Sequence, residues 1–238
     1  ASLCSIPISY YMPFYHMPHR FKAILFDLDG TIIDSAPDLC TTMNVLLGQE
    51  NRRLIKLDEM KACTGDGLQV MLEKAWRLTG EPVSPDAIPQ LMPRFLAIYE
   101  EIVAKPECIY PGMLEFIKSE FTSGTKLVVV TNKHEAATRR ILNQLNLTTY
   151  FQLIIGGDTL RERKPHPLPI LHALREIHVQ ADDAVMIGDS PNDLVSAHGA
   201  GIPCVILSYG YSHNWPEDSK PDAIANHVEE CRVALHIL

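Results

Sequence analysis

The stretch that decides the fold is residues 21–31, FKAILFDLDGT. Its apolar run, Ala23–Phe26, has no polar alternation, which is typical of a strand covered on both faces of a parallel sheet. The run ends on two carboxylates, Asp27 and Asp29, followed by Gly30. Because ligands bind beyond the carboxyl ends of strands in open α/β sheets, these carboxylates are predicted to stand at a reactive site. Alone, the same residues would also suit an acidic turn.

The composition is that of a globular protein with an acidic balance, since 46% of the 238 residues are apolar and 21% are charged. Its 21 basic and 29 acidic side chains leave a net charge of −8. That charge gives no general attraction to nucleic acid or to an anionic membrane, so neither is expected as a partner. No apolar run approaches the roughly 20 residues of a membrane-spanning helix. Six cysteines without a Cys-x-x-Cys pair favour a reducing, cytoplasmic location over a zinc site or redox pair.

Residues 35–105 show helical periodicity and no strand pattern. A helix is predicted to begin at Ser35 as its capping residue, with a proline and an acid in the turn that follows. Two more helices are expected at residues 58–63 and 68–80. After a loop punctuated by prolines, a last helix is expected to run to Pro106. The loop prolines are Pro82, Pro85, Pro89 and Pro93, and the last helix carries Phe95, Tyr99, Ile102 and Val103 on one face.

Beyond Gly112, helices alternate with strands, which predicts a parallel sheet with helices on both faces. The strands are predicted at residues 126–130, 151–155, 184–187 and 205–207. A βαβ unit takes about 30 residues, whereas the second strand begins only at residue 126, so the helical block is an insertion. The prediction is an α/β core of residues 21–34 and 106–238, a helical cap domain of residues 35–105 that can cover the site, and a poorly ordered or extension segment of residues 1–20.

Other strand ends are predicted to bring polar side chains to the same edge of the sheet. Each has an ordinary explanation on its own, such as helix capping for a hydroxyl or a solvated position for a lysine. Together they place several carboxylates, a lysine and a hydroxyl near Asp27 and Asp29. These residues are Thr131, Asn132, Lys164, Asp189 and Asp193.

Such a set suits phosphoryl transfer through a covalent intermediate. A carboxylate at the end of the first strand can attack phosphorus, and a second acid two residues later can protonate the leaving oxygen and then activate water. The attacking anion needs cations around the phosphate, and Mg²⁺ typically takes a couple of carboxylates together with phosphate and water. Lys164 and the Thr131 hydroxyl would bind the remaining phosphoryl oxygens.

Four segments resemble the motifs of the haloacid dehalogenase-like phosphatases, in the order that is usual for that family. They are DLDGT at 27–31, TNK at 131–133, KP at 164–165 and GDSPND at 188–193. The resemblance implies a Rossmann-like sheet with a mobile helical cap, in which Asp27 is the nucleophile and Asp29 the acid and base. The implied phosphate-binding residues are Thr131, Asn132 and Lys164. The implied Mg²⁺ ligands are Asp27, Asp189 and the backbone carbonyl of Asp29, with Asp193 in support.

Shorter segments resemble the phosphoglycolate phosphatases within this family. They are DSAPDL at 34–39, VTNK at 130–133, GGDTL at 156–160, RKPHP at 163–167 and YGY at 209–211. The implied reaction is Mg²⁺-dependent hydrolysis of 2-phosphoglycolate to glycolate and phosphate. The cap turn Gly65, Asp66 and Gly67 is expected to set substrate specificity, and it carries an acid where those phosphatases often have a neutral residue. Asp66 is expected either to face the substrate or to cap the helix that follows.

Other functions stay open at this point. The same chemistry could act on a phosphosugar or another small phosphometabolite, or the chain could be a phosphomutase. A phospho-receiver domain also clusters aspartates and a lysine on a similar sheet, but it needs no helical insertion after the first strand. The expected partner is a small-molecule phosphomonoester, and the chain is expected to act as a monomer or homodimer.

Overall fold

The computed structural model describes residues 20–102, 104–212, 215–216 and 218–238. The predicted extension of residues 1–20 lies outside the described residues except for Arg20, and so does Val103 of the predicted last helix of the insertion. None of the helices in the described part of the chain combines the length and the apolar character that a bilayer crossing requires.

A sheet of six parallel strands organises the described residues, in the order β3-β2-β1-β4-β5-β6. At its centre, Phe26 of β1 is in register with Val129 of β2 and Ile187 of β4. The chain winds one way from β1 to β3 and the other way from β4 to β6, so the crevice of the sheet lies beyond β1 and β4. The strands are β1 (Ala23–Phe26), β2 (Lys126–Val130), β3 (Leu153–Ile155), β4 (Ala184–Gly188), β5 (Cys204–Leu207) and β6 (Ala223–Ala225).

Alternate side chains of β1 enter two different apolar layers. Ile24 and Phe26 pack into the cluster on one face of the sheet, whereas Ala23 and Leu25 pack into the cluster on the other face. All four side chains are fully buried. A strand covered on both faces needs no polar residue, which explains why this run is apolar throughout.

The helices of the described chain form two groups. Four lie in the insertion: α1 (Ala36–Gln49), α2 (Leu57–Cys63), α3 (Leu68–Thr79) and α4 (Ile88–Glu100). The others flank the sheet: α5 (Met113–Thr122), α6 (Glu135–Gln144), α7 (Leu168–Glu176), α8 (Pro191–Gly199) and α9 (Val228–Ile237). Of these, α5, α6 and α9 pack on the face that holds Phe26, and α7 and α8 pack on the opposite face. Helices therefore cover both faces of the sheet, as predicted.

The insertion packs its helices on one another and on the sheet. α1 contacts α2 and α4, and α3 contacts the same two helices. The apolar cluster beneath Phe26 continues into the insertion through Leu47, Met60 and Phe95 without a break. The division into a core of residues 21–34 and 106–238 and a cap of residues 35–105 therefore stays a prediction.

The start of α1 differs from the prediction that Ser35 caps it. The Ser35 hydroxyl is buried and has no hydrogen-bond partner among the described residues. Instead, Oδ1 of Asp34 accepts a hydrogen bond from the backbone N–H of Ala36 at 3.2 Å. The preceding residue supplies the cap because Ser35 already has helical backbone angles, which turn its side chain away from the free N–H groups.

The proline-rich loop is shorter than predicted, since α4 begins at Ile88 and contains Pro89 and Pro93. Pro89 lies in the first turn, where a missing N–H costs nothing. Pro93 is exposed and removes one hydrogen bond, which the packing of the helix's apolar face outweighs. The helix ends at Glu100 rather than near Pro106.

Three further elements depart from the sequence prediction. β3 begins at Leu153, not at residue 151, because a short 3₁₀ turn precedes it. β6 and α9 were not predicted; they add the last strand beside β5 and a helix on the face of the sheet that holds Phe26.

Candidate active site

Asp27 lies directly beyond β1, in the crevice of the sheet. Its Oδ1 is 3.0 Å from Nζ of Lys164, and the same Nζ lies 2.5 Å from Oδ1 of Asp193 and donates to the carbonyl oxygen of Val130 at 2.6 Å. Burial, reinforced by Asp193 and Asp29 and opposed by Lys164, raises the pKa of Asp27 to about 6. Burial lowers the pKa of Lys164, but Asp193 and Asp27 outweigh burial and raise it overall.

Asp193 holds the start of α8 in place. Its Oδ2 accepts hydrogen bonds from the backbone N–H of Asp189 at 3.1 Å, from the backbone N–H of Ser190 at 3.0 Å and from the Ser190 hydroxyl at 2.7 Å. Its other oxygen binds Lys164. Since both carboxylate oxygens are engaged by the protein, Asp193 is placed to support its neighbours.

Three carboxylates form a compact, buried cluster at the ends of β1 and β4. Asp27, Asp189 and Asp193 each offer an oxygen within 4.8 Å of the others. Burial raises the pKa of Asp189 well above its ordinary value, and Asp193 and Asp27 add to the effect. A divalent cation offsets the repulsion among such carboxylates, so this donor set can hold a metal ion.

Glycines allow the backbone to approach Asp189 closely. Gly30 has a φ of +87°, which disfavours other residues, and a Cβ there would overlap the Asp189 carboxylate. A Cβ at Gly210 would also overlap Asp189. The glycine after Asp29 therefore makes room for a buried carboxylate from another strand, which an ordinary acidic turn would not require.

Asp29 faces Lys133 instead of the metal cluster. Nζ of Lys133 lies 3.0 Å from Oδ1 and 3.3 Å from Oδ2 of Asp29. The centroid of the Tyr99 ring, on α4, is 4.9 Å from the same Nζ. Burial lowers the pKa of Lys133, but Asp29 and Tyr99 outweigh burial and raise it overall. Through Lys133, the insertion thus contacts the carboxylate expected to act as acid and base.

Asn132 links the core to the turn between α2 and α3. Its Nδ2 donates to the carbonyl oxygens of Gly65 and Lys164, each at 2.9 Å. Because both amide hydrogens are committed, the side chain has no free donor for phosphate. These contacts link the core to the insertion, and the phosphate-binding role of Asn132, which also lines the cavity, stays a prediction.

Asp66, the acid of the predicted specificity turn, points away from the cavity described below. Its carboxylate accepts hydrogen bonds from Lys74 at 2.6 Å and from Asn192 at 2.7 Å. α3 has no side-chain cap, so the predicted capping role is wrong. Burial raises the pKa of Asp66, but Lys74 and Asn192 outweigh burial and lower it below its ordinary value.

A cavity of about 50 Å³ lies between the sheet edge and the insertion. This volume corresponds to a few water molecules, so the site as arranged here suits a compact ligand. Its core side includes Asp27, Asp29, Thr131 and Lys133, and its insertion side includes Gly65, Gly67, Leu68, Met71, Phe95 and Tyr99. Charged groups thus line one wall and mainly apolar groups the other.

A family model described as haloacid dehalogenase-like hydrolase matches residues 24–207. The chain belongs to the haloacid dehalogenase-like hydrolase family. Among its relatives in that family, a phosphoglycolate phosphatase of Nitrosospira multiformis is 35% identical over 199 residues, covering 83% of this chain and 87% of the relative. A phosphoglycolate phosphatase of Colwellia psychrerythraea is 37% identical over 202 residues, covering 83% of this chain and 88% of the relative.

Solved structures show the same fold. The crystal structure of a predicted phosphoglycolate phosphatase from Haemophilus somnus superposes with a TM-score of 0.80 at 31% identity, covering 87% of this chain and 95% of that chain. A predicted phosphatase from Clostridium acetobutylicum superposes with a TM-score of 0.78 at 23% identity, covering 92% of this chain and 99% of that chain. The second likeness concerns the fold alone.

Most residues that the haloacid dehalogenase-like motifs single out meet at one edge of the sheet. Asp27, Asp29 and Thr131 line the cavity, and Lys164, Asp189 and Asp193 lie around Asp27. Gly65 and Gly67 reach the cavity from the insertion, whereas Asp66 does not. Their catalytic and binding roles remain predictions.

Sequence reasoning assigned no role to two residues that the structure places at this site. Lys133 lies in the TNK motif at 131–133, but the motif gives no sign of its contact with Asp29. Tyr211 donates its backbone N–H to Asp189 at 2.6 Å and its hydroxyl to Asp34 at 2.7 Å. Tyr211 therefore joins Asp189, a carboxylate of the cluster, to Asp34, the residue that caps α1. The Tyr-Gly-Tyr segment at 209–211 was the sequence feature that could have indicated this role.

Proposed function

We propose that this chain is a Mg²⁺-dependent phosphomonoester hydrolase that converts 2-phosphoglycolate to glycolate and phosphate through an aspartyl-phosphate. The observation that carries the proposal is the placement of Asp27, which borders the cavity with the Lys164 ammonium 3.0 Å from its carboxylate. A carboxylate can attack an anionic phosphoryl group only where cations hold that group against it, and Lys164 supplies one such cation.

The residues divide the chemistry between them. A carboxylate oxygen of Asp27 attacks phosphorus, and the bond from phosphorus to the leaving oxygen breaks as Asp29 gives that oxygen a proton. Asp29, now a carboxylate, takes a proton from a water molecule as the water oxygen bonds to phosphorus. The bond from phosphorus to the Asp27 oxygen breaks, which releases phosphate and regenerates the Asp27 carboxylate. Lys164 and the Thr131 hydroxyl bind the phosphoryl oxygens through both steps.

The donor set fits Mg²⁺, which prefers oxygen ligands. Asp27, Asp189 and the backbone carbonyl of Asp29 would hold the ion, and Asp193 would keep Asp189 in place through the N–H groups at the start of α8. When bound, the ion would supply positive charge that lets one anion approach another.

The substrate assignment rests on the relatives and on the cavity. Relatives at 35% and 37% identity are phosphoglycolate phosphatases. The small cavity favours a compact ester, and Gly67, directly before Leu68, leaves room at the start of α3, where unpaired N–H groups favour an anion. With Asp66 turned away, nothing in the turn repels a carboxylate.

Phosphate release from a panel of esters tests the proposal. The panel contains 2-phosphoglycolate, glucose 6-phosphate, glycerol phosphate and nucleoside monophosphates, and we expect 2-phosphoglycolate to have the highest kcat/KM. Asp27→Asn should lower every rate by about 10³-fold or more while the protein stays folded. If a hexose phosphate had the highest kcat/KM, the substrate assignment would be wrong and only the phosphatase activity would stand. Full activity in Asp27→Asn would rule out the covalent mechanism. A cytoplasmic location and a monomer or homodimer stay predictions.

A further inference from the structure

Lys133 has an unusual position in the cavity. Among the described residues that line it, Lys133 is the one lysine or arginine. Its side chain is 8% exposed and pairs with Asp29, whose side chain is 11% exposed. The Tyr99 ring covers the ammonium from the insertion. The mechanism above uses Asp29 but leaves this buried lysine without a task.

The charges around the cavity give Lys133 a place in substrate binding. The phosphoryl group is expected beside Asp27, where Lys164 and the carboxylate cluster lie. Lys164 lies between Asp27 and Asp193, and the proposed function assigns it to the phosphoryl group, so it is not available for a second anion. A substrate that carries a carboxylate near its phosphate therefore needs another cation on the cavity wall, because a buried charge without a partner is costly.

Other candidates for that cation are less suitable. His134 also lines the cavity, but its Nδ1 lies 3.1 Å from Oδ2 of Asp158. Arg163 lies near Gly67, but it is exposed and borders a different groove. Lys74 is occupied by Asp66.

We infer that Lys133 is the specificity-determining residue that binds the substrate's carboxylate. Its ammonium leaves Asp29 and pairs with that carboxylate instead. The inference rests on the proposed function and names the group that selects its substrate. An ammonium on a flexible stem has three donors and can turn from one carboxylate to another without losing its ion pair. The exchange leaves both oxygens of Asp29 free to face the leaving oxygen.

The exchange has a kinetic consequence. A substrate with a neutral tail offers Lys133 no carboxylate, so the ammonium stays on Asp29. The protein should hydrolyse such a substrate with a lower kcat as well as a lower affinity. The remote end of the substrate supplies no binding energy to draw Lys133 away from Asp29. Recognition of the carboxylate and readiness of Asp29 are thus coupled through one side chain.

The test compares two substrates that differ at one end, 2-phosphoglycolate and 2-hydroxyethyl phosphate. Wild-type protein should prefer 2-phosphoglycolate in kcat/KM. Lys133→Met should lower kcat/KM for 2-phosphoglycolate by about 30-fold or more, as truncating a buried charged partner does, and change it far less for 2-hydroxyethyl phosphate. Lys133→Arg keeps the cation and should retain much of the preference, and it provides a second variant if the Met variant folds poorly.

Two further variants serve as comparisons. Lys22 pairs with Asp183 at 2.8 Å at the opposite end of the strands, so Lys22→Met makes the same chemical change away from the site and should leave the preference intact. Arg163→Met removes the nearest rival cation and should also leave it intact.

The outcomes separate the inference from the proposed function. If wild-type protein hydrolyses both esters equally well, the proposed substrate fails, and the inference fails with it. If wild-type protein prefers 2-phosphoglycolate but Lys133→Met lowers both activities by the same factor, Lys133 acts only through Asp29 and the inference alone is wrong. If Arg163→Met instead lost the preference for 2-phosphoglycolate, Arg163 and not Lys133 would be the residue that binds the substrate's carboxylate, and the inference would be wrong.

Discussion

Asn192 donates a hydrogen bond from Nδ2 to Oδ1 of Asp66 at 2.7 Å, and so ties the turn of the insertion to the first turn of α8 in the core. Lys74, on α3, holds the other oxygen of the same carboxylate at 2.6 Å. The acid in the turn therefore joins insertion to core and does not face the ligand cavity. This placement removes the main objection that the sequence raised against a carboxylate-bearing substrate.

Asp66→Asn tests this placement through the sign of its effect on KM. The variant loses the charge pair with Lys74, and a partly exposed pair contributes about 0.5–1 kcal/mol. We expect KM for 2-phosphoglycolate to rise about two- to fivefold, because the turn is held less firmly. Lys74→Met should move KM in the same direction. If Asp66 instead faced the substrate, its neutralisation would lower KM, and such a decrease would contradict the structure.

Asp29→Asn should separate the two halves of the reaction. A substrate with a good leaving group, such as p-nitrophenyl phosphate, needs no proton on its leaving oxygen, so the aspartyl-phosphate should still form. Its hydrolysis needs a base and should be slow. Rapid-mixing measurements should therefore show a burst of about one equivalent of nitrophenol followed by slow turnover. Unchanged steady-state rates with both this ester and 2-phosphoglycolate would show that Asp29 is not the acid or the base.

Metal removal should stop the reaction reversibly. EDTA should abolish phosphate release and Mg²⁺ should restore it, whereas Ca²⁺ should inhibit because its larger, looser coordination shell disturbs the alignment of Asp27 with phosphorus. Asp189→Ala should raise the Mg²⁺ concentration for half-maximal activity at least tenfold. Titration of activity and of thermal unfolding with Mg²⁺ gives two independent readouts. If activity survived exhaustive chelation, the reaction would not depend on a metal ion and this prediction would be wrong.

In the metal-free protein, the contribution of Asp27 to stability should fall as pH rises from about 4 to about 6. Burial, more than any neighbour, raises the pKa of Asp27 from 3.8 to about 6. Over that window Asp27 keeps a proton in the native protein that it has released in the unfolded chain, so its contribution to the free energy of unfolding falls with rising pH. The loss is on the order of 2–3 kcal/mol and is complete above the native pKa.

Asp27→Asn lacks this titration and provides the comparison for that prediction. In EDTA, the melting temperature of the variant relative to wild-type protein should increase by roughly 5–10 °C between pH 4 and pH 7. Asp183→Asn replaces a partly exposed aspartate at the opposite end of the strands and controls for substitution of any carboxylate. If the difference in melting temperature between Asp27→Asn and wild-type protein did not change with pH, Asp27 would not be buried in the metal-free protein.

Much of the fold follows from the sequence because its signals are local. The apolar run of β1 and the runs at 127–130 and 184–187 are buried on both faces, so they show in the sequence as unbroken apolar stretches. β6 was not predicted, because Ala-Ile-Ala is too short a pattern to distinguish from a loop. Pro93 was taken as a helix breaker, although packing of the apolar face of α4 outweighs one missing hydrogen bond.

The sequence alone determined which side chains stand beyond the strand ends, because parallel strands bring their carboxyl ends to one edge of a sheet. It could not determine which of them touch. Lys133 and Asp29 are 104 residues apart in the chain, and Asn192 and Asp66 are 126 apart. Such pairs depend on how the insertion folds back over the sheet and on which side chain is already engaged by a nearer partner. Only the tertiary structure decided that Asp66 leaves the cavity and that Lys133 enters it.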